Sequence, residues 1–136
     1  MLRLDRRGFL GLSLLVTMFT MAAGAPVRLP AAEPDLSRGR YLLMAEEPGC
    51  PYCARFHREI GEAYRNSPQG TFAPLVRRPM GHPDLARLKT PARYSPTFIL
   101  LVDGKEVGRI TGYPGSDFFW PIADALLAKA GFKPEE

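Results

Sequence analysis

The chain has 136 residues, of which 46% are hydrophobic and 24% charged, and its formal net charge is +4 at pH 7. That length suits one small domain with a core large enough to fold alone. Two cysteines build no disulfide framework, and no basic run or interleaving of basic and aromatic residues points to nucleic acid.

The chain opens with Arg6-Arg7-Gly8-Phe9-Leu10 and then carries no charge from Gly8 to Val27, a run of 20 residues. A basic start, an apolar stretch and the small residues Ala22-Ala23-Gly24-Ala25 describe an export signal over residues 1–25. The Arg-Arg-x-Phe-Leu pattern is of twin-arginine type, with Asp5 where Ser or Thr is usual. Sec export is the alternative, and so is a retained anchor, because the run is about as long as a spanning helix. Export places the domain in the bacterial periplasm or at the cell surface, where disulfides persist. Removing residues 1–25 takes away Arg3, Arg6, Arg7 and Asp5, which lowers the net charge from +4 to +2. Residues 26–38, rich in Pro and Ala, read as a linker, and residues 39–136 as the domain.

A first strand is expected at Arg40–Glu46, followed by a helix that starts at the cysteines, runs to about Asn66 and is stopped by Ser67-Pro68-Gln69-Gly70. Phe72–Arg78 reads as a second strand. Pro74 and the pair Arg77-Arg78 place it at a sheet edge, with both arginines as edge charges. Met80–Tyr94 is mostly loop, with a short helical stretch at Pro83–Leu88. Thr97–Val102 is apolar on both faces, as a central strand covered by helices on either side must be. Asp103-Gly104 makes a tight hairpin turn into Glu106–Thr111. A closing helix spans about Ser116–Ala130, with Phe119, Ile122, Leu126 and Ala130 at helical spacing. Ser116 or Asp117 caps it, Pro121 bends or delays its start, and Gly131 stops it. The class is α/β, in the order β-α-β, a short helix, then β-β-α.

The chemistry sits in Pro48-Gly49-Cys50-Pro51-Tyr52-Cys53-Ala54-Arg55-Phe56-His57. A Cys-x-x-Cys between a strand and a helix is the arrangement of a dithiol redox site. The first cysteine meets the helix N-terminus, where unpaired N–H groups and the helix dipole favour a thiolate, and Pro51 fits the first turn because its missing N–H would have no partner there. At ~100° per residue Ile60 and Tyr64 fall within ~20° of Cys53 and Phe56 within ~60°, so Cys53 begins the buried stripe and Cys50 stays accessible. His57 lies ~40° off that stripe, within reach to exchange a proton with the sulfur pair or only to pack. A structural zinc site wants four ligands, and this chain offers the pair, His57 and distant His82. A purely structural disulfide closing so short a loop removes little chain entropy. A non-enzymatic thiol module, regulatory or binding Cu(I) through the pair, is an alternative.

A strand, a Cys-x-x-Cys helix, a second strand and a Ser95-Pro96-Thr97 turn opening an antiparallel hairpin, then a closing helix, together resemble the thioredoxin superfamily over about Arg40–Gly131. Pro96 matches its cis-proline and Gly112 the glycine after its last strand. Cys-Pro-Tyr-Cys is the tetrapeptide of many glutaredoxins, but no segment resembles their glutathione-binding charges. The longer Pro-Gly-Cys-x-Tyr-Cys-x-x-x-His, on an exported chain with Gly112-Tyr113-Pro114-Gly115-Ser116-Asp117-Phe118-Phe119-Trp120, is most similar to the SoxS family of periplasmic thioredoxins from bacterial sulfur-oxidation (Sox) clusters.

The resemblance implies a minimal thioredoxin-like fold around a four-stranded mixed sheet. It also implies a periplasmic thiol-disulfide oxidoreductase that reduces disulfides or sulfur adducts on sulfur-carrier Sox proteins. In it Cys50 attacks and Cys53 resolves, with His57 beside them, while Pro51, Tyr52, Ser95 and Pro96 hold the substrate. Electrons come from a membrane thiol transporter of the CcdA type, and no metal or organic cofactor is needed. One departure matters: the superfamily's buried carboxylate six residues before the first cysteine is Met44 here, so Glu46, Glu47, His57 or water must accept the proton. A Dsb-like oxidant or isomerase is the alternative enzyme, against which stand the lack of an inserted helical domain and of a dimerisation arm.

Overall fold

The computed structural model describes residues 31–134; the export signal assigned to residues 1–25 lies outside them. Among the described residues no helix is long and apolar enough to cross a membrane.

Four strands form one mixed sheet in the order β2-β1-β3-β4. The strand β1 (Arg40–Glu46) runs parallel to β2 (Leu75–Pro79) and antiparallel to β3 (Thr97–Val102), which pairs antiparallel with β4 (Lys105–Thr111). A parallel pair needs a long crossover, and the segment carrying the cysteines supplies it. The hairpin joining β3 to β4 turns at Asp103 (φ 49°) and Gly104 (φ 77°), the two left-handed positions that a two-residue hairpin of this type demands.

Successive strand residues point to opposite faces, and the core divides accordingly. Leu42, Met44, Phe98 and Leu100 face one side, where they meet Phe56, Ile60 and Tyr64 of the crossover and Phe119, Ala123, Leu126 and Leu127 of the closing helix α5 (Ser116–Ala128). Leu43, Ala45, Ile99 and Leu101 face the other side and meet Leu36, Val76 and Leu85. Helices cover both faces of β3 as expected, but unequally. One face carries the long helices, and the other is closed by the single turn α4 (Pro83–Ala86), by Met80, Leu88 and Ala92, and by Leu36. An unbroken apolar strand requires that both faces be dry, and a loop with a few apolar side chains meets that requirement.

The crossover is α1 (Pro51–Phe56), a π-helical turn (His57–Gly61) and α2 (Glu62–Arg65), not one regular α-helix; Cys53, Phe56, Ile60 and Tyr64 nevertheless form its buried stripe. The breakers after Asn66 end α2 and also start a further helix, α3 (Pro68–Phe72). Ser67 Oγ accepts the Gly70 N–H at 3.1 Å and Pro68 occupies the first turn, the usual way to open a helix. A Cβ on residue 70 would lie 1.9 Å from the Tyr64 carbonyl oxygen, so only glycine lets α3 fold back there. Because Phe72 is spent in α3, β2 begins at Leu75 and not at Phe72, though it is an edge strand as expected.

The closing helix also departs from its sequence reading. Its cap is Gly115, without a side-chain bond from Ser116 or Asp117, and Pro121 lies inside the helix without delaying its start. Its buried stripe is Phe119, Ala123, Leu126 and Leu127, whereas Ile122 is 42% exposed. At ~100° per residue Ile122 lies ~60° from Phe119 on the side away from Ala123, which turns it off the core.

Candidate redox site

The end of β1, the first turn of α1 and the turn before β3 meet at one end of the two central strands. Cys50 caps α1 with its N–H on the Glu47 carbonyl (3.3 Å) and its carbonyl accepting the Ala54 N–H (3.1 Å). The Cys53 N–H points at Cys50 Sγ, 3.2 Å away, which gives this sulfur a backbone donor at the positive end of the helix. The two cysteines form a disulfide with Cα atoms 5.3 Å apart. Their environments differ as the helical spacing predicts: Cys50 is half-buried at the rim, while Cys53 is 3% exposed within the aromatic core.

Ser95 and Pro96 face this pair from the other side of the site. The Ser95–Pro96 peptide is cis, the Ser95 carbonyl oxygen lies 3.6 Å from Cys50 Sγ, and the Gly112 N–H donates to the Pro96 carbonyl (2.7 Å). Ser95 Oγ accepts the Glu47 N–H at 2.9 Å and lies 3.2 Å from Cys53 Sγ. Met44 is fully buried in the apolar core and offers the sulfurs no carboxylate.

Glu46 brings a carboxylate to the site. Its Oε2 meets His57 Nε2 at 2.8 Å and its Oε1 accepts from Arg77 Nε at 2.6 Å. Burial pushes this carboxyl up, but the hydrogen bonds from His57 and Arg77 outweigh it and hold Glu46 below the usual carboxylate range. Glu46, Glu47, His57, Arg77 and Arg78 line one groove together with Cys50 and Cys53. Arg77 is an exposed edge charge, as expected. Arg78 is not: it is 7% exposed, with Nε donating to Asp84 Oδ2 (2.8 Å), Nη1 to the Arg77 carbonyl (3.0 Å) and Nη2 3.4 Å from Glu33. Strand alternation sends neighbouring side chains to opposite faces, and α4 covers the face that Arg78 takes. His82, expected to stand apart from the cysteines, caps α4 by accepting the Asp84 N–H at 3.1 Å. Among the described residues no three His, Cys, Asp or Glu side chains gather as metal ligands.

A second groove, lined by no charged side chain, opens on the opposite side of the pair, with Tyr52, Tyr94, Ser95, Pro96, Tyr113 and Ile122 among its walls. Tyr52 and Tyr94 are 57% and 67% exposed. Its far wall is tied to the π-helical turn of the crossover by a contact the sequence reading missed. The Tyr113 hydroxyl donates to Glu59 Oε2 (2.6 Å), and Arg55 Nε donates to Glu59 Oε1 (2.7 Å). The bond from Tyr113, then that from Arg55, holds Glu59 below the usual carboxylate range, while burial and then the Glu59 contact push the Tyr113 hydroxyl up. The i,i+4 spacing of Arg55 and Glu59 was a readable signal; nothing local connects either to Tyr113.

A thioredoxin-like domain family matches residues 35–127. The chain belongs to that family. Among solved structures it is similar to the periplasmic thioredoxin SoxS from Paracoccus pantotrophus in its reduced form, at 44% identity over 67% of this chain and 98% of that one, with a TM-score of 0.63. Other likenesses are to the thioredoxin of Fasciola hepatica (21% identity, 63% of this chain and 81% of that one, TM-score 0.49) and to Trxlp of Edwardsiella tarda (22% identity, 67% and 84%, TM-score 0.45). No curated protein matches the sequence. A thioredoxin-like fold with a Cys-x-x-Cys disulfide at a helix N-terminus is a thiol-disulfide oxidoreductase, and its substrates are protein thiols and disulfides.

Proposed function

We propose that this protein is a periplasmic reductase of disulfides or sulfur adducts on Sox proteins, reached through an export signal at residues 1–25 and a linker at 26–38. The observation that carries the reading is the unequal placement of the two sulfurs in a chain 44% identical to a periplasmic SoxS. Cys50 is accessible at the groove with a backbone N–H aimed at it, and Cys53 is buried behind it.

In the reduced protein the Cys50 thiolate attacks a sulfur of the partner disulfide, expelling one partner thiolate and forming a mixed disulfide. Cys53, once deprotonated, attacks Cys50 Sγ, expels the second partner thiolate and closes the Cys50–Cys53 disulfide. Two electrons pass to the partner, and the two protons of the dithiol end on the partner's thiols by way of solvent. His57, held by Glu46 beside the groove, is suited to carry the Cys53 proton there in place of the carboxylate that Met44 lacks. Pro51, Tyr52, Ser95 and Pro96 frame the partner segment, which pairs with the open Ser95 backbone. A membrane thiol donor of the CcdA type returns the pair to the dithiol.

The test is mixed-disulfide trapping in the native periplasm. Cys53→Ser leaves no internal sulfur to resolve the adduct, so it should carry Sox proteins that reductant releases, while Cys50→Ser should carry almost none. Equal trapping by both variants overturns the division of labour. A broad spread of exported proteins in the adducts would favour an oxidant or isomerase, as would a reduction potential near −120 mV in place of one near −270 mV.

A further inference from the structure

We propose that the Ser95 side chain is a catalytic residue for the resolving half-reaction: its hydroxyl donates a hydrogen bond to Cys53 Sγ and holds the negative charge that sulfur carries just before it attacks Cys50. The inference rests on Cys53 being the resolving sulfur and assigns a catalytic task to the Ser95 hydroxyl.

Three observations support it. Ser95 Oγ accepts the Glu47 N–H at 2.9 Å, which occupies one lone pair and orients the hydroxyl. Its single hydrogen is then free, and Cys53 Sγ lies 3.2 Å away, within reach of an O–H donor to sulfur. Cys53 is 3% exposed and packed among apolar and aromatic side chains, so a thiolate formed there has little water to solvate it. A hydrogen bond to a charged acceptor is roughly twice as strong as a neutral one, so the hydroxyl favours the thiolate over the thiol, which makes only weak bonds.

In the step itself Cys53–SH gives its proton to a base, and the thiolate attacks Cys50 Sγ. The bond between Cys50 and the partner breaks as the Cys50–Cys53 bond forms, and the partner leaves as a thiolate that takes up a proton. Ser95 keeps its proton throughout. Other groups also act on this sulfur. Cys50 and His57 share its helix, Glu46 and Glu47 stand at the end of β1, and Arg77 and Arg78 come from β2 across the groove; Tyr113 joins it in the core. Glu46 is tied to His57 and Arg77, and Arg78 to Asp84; apart from the Cys50 sulfur bonded to it, the side-chain atom in hydrogen-bond contact with Cys53 Sγ among the described residues is Ser95 Oγ.

The test compares Ser95→Ala and Ser95→Thr with the parent protein in two measurements. The first is the thiolate absorbance of Cys53 against pH, in a Cys50→Ser background so that one sulfur titrates. The second is the rate at which a preformed mixed disulfide on Cys50 resolves, also against pH. Ser95→Ala should move the Cys53 titration up by about one pH unit and slow resolution about tenfold at neutral pH, with the rates converging at alkaline pH where Cys53 is ionised in both. Ser95→Thr keeps the hydroxyl and should stay within about threefold of the parent.

An unmoved Cys53 titration overturns the proposal. So does a rate defect in Ser95→Ala that persists at alkaline pH or is matched by Ser95→Thr, since either would mark loss of the Glu47 anchor and not of charge stabilisation. The titration needs no partner and no turnover, so it can fail while the trapping asymmetry of Cys53→Ser and Cys50→Ser stands, and the reverse.

Discussion

Arg78→Met separates a reading of the sequence from a reading of the structure. As an edge charge, Arg78 would contribute almost nothing to stability, because exposed ion pairs are worth about 0–1 kcal/mol. The structure instead buries the guanidinium and gives it three oxygen partners, on Asp84, Glu33 and the Arg77 backbone. Methionine keeps most of the stem's packing but leaves the Asp84 carboxylate, whose side chain is 20% exposed, without its main cation. Breaking a fully buried pair costs about 3–5 kcal/mol. Asp84 retains some water and the backbone bond to Arg77 is replaceable by solvent, so about 2 kcal/mol is expected here. For a domain of this size that is a fall of about 1.5 M in the urea midpoint, or about 10 °C in Tm. The cycle with Asp84→Asn should show a coupling of about 1 kcal/mol or more. Unfolding would be followed by far-ultraviolet circular dichroism on the oxidised protein, so that the disulfide is constant. A midpoint change under about 0.3 M would refute the buried-network argument and restore the edge-charge reading.

The Glu46 carboxyl is held below its usual range in the folded protein, so its stabilising contribution is complete above the unfolded value near 4.5 and is lost as pH falls through the depressed folded value. Glu46→Gln should therefore flatten the acid limb of a stability-against-pH curve below about pH 5; an acid limb that keeps its parent slope would refute the assignment. Tyr52→Ala and Ile122→Ala remove exposed apolar walls of the second groove without touching either sulfur. Each should raise KM for a protein disulfide severalfold while reduction of a small aliphatic disulfide changes less than twofold. Equal effects on both substrates would show that the groove does not hold the partner chain.

Much of this protein is legible from residue order alone because the deciding interactions are local. The bounds of β1 and β3 follow from short apolar runs, and the hairpin from Asp103-Gly104, whose backbone conformations are a property of two adjacent residues. The position of Cys50 at a helix start follows from the Cys-x-x-Cys spacing, and that of Cys53 on the buried stripe from the helical periodicity it shares with Phe56, Ile60 and Tyr64. The family resemblance is legible for the same reason, since the Cys-x-x-Cys helix and the Ser-Pro-Thr turn are each contiguous.

What tertiary structure decided lies between segments far apart in the chain. Ser95 Oγ meets Cys53 Sγ across 42 positions, Tyr113 meets Glu59 across 54, and His57 meets Glu46 because β1 and the start of the π-helical turn pack together. Arg78 and Ile122 depart from the sequence expectation for a related cause. A periodicity states which residues share a face but not what covers that face, and α4 closes over Arg78 while Ile122 is left exposed among the described residues. Local rules choose among backbone conformations within a turn or a strand; the partner of each face is chosen only when the sheet assembles, by which distant surfaces can be dried together.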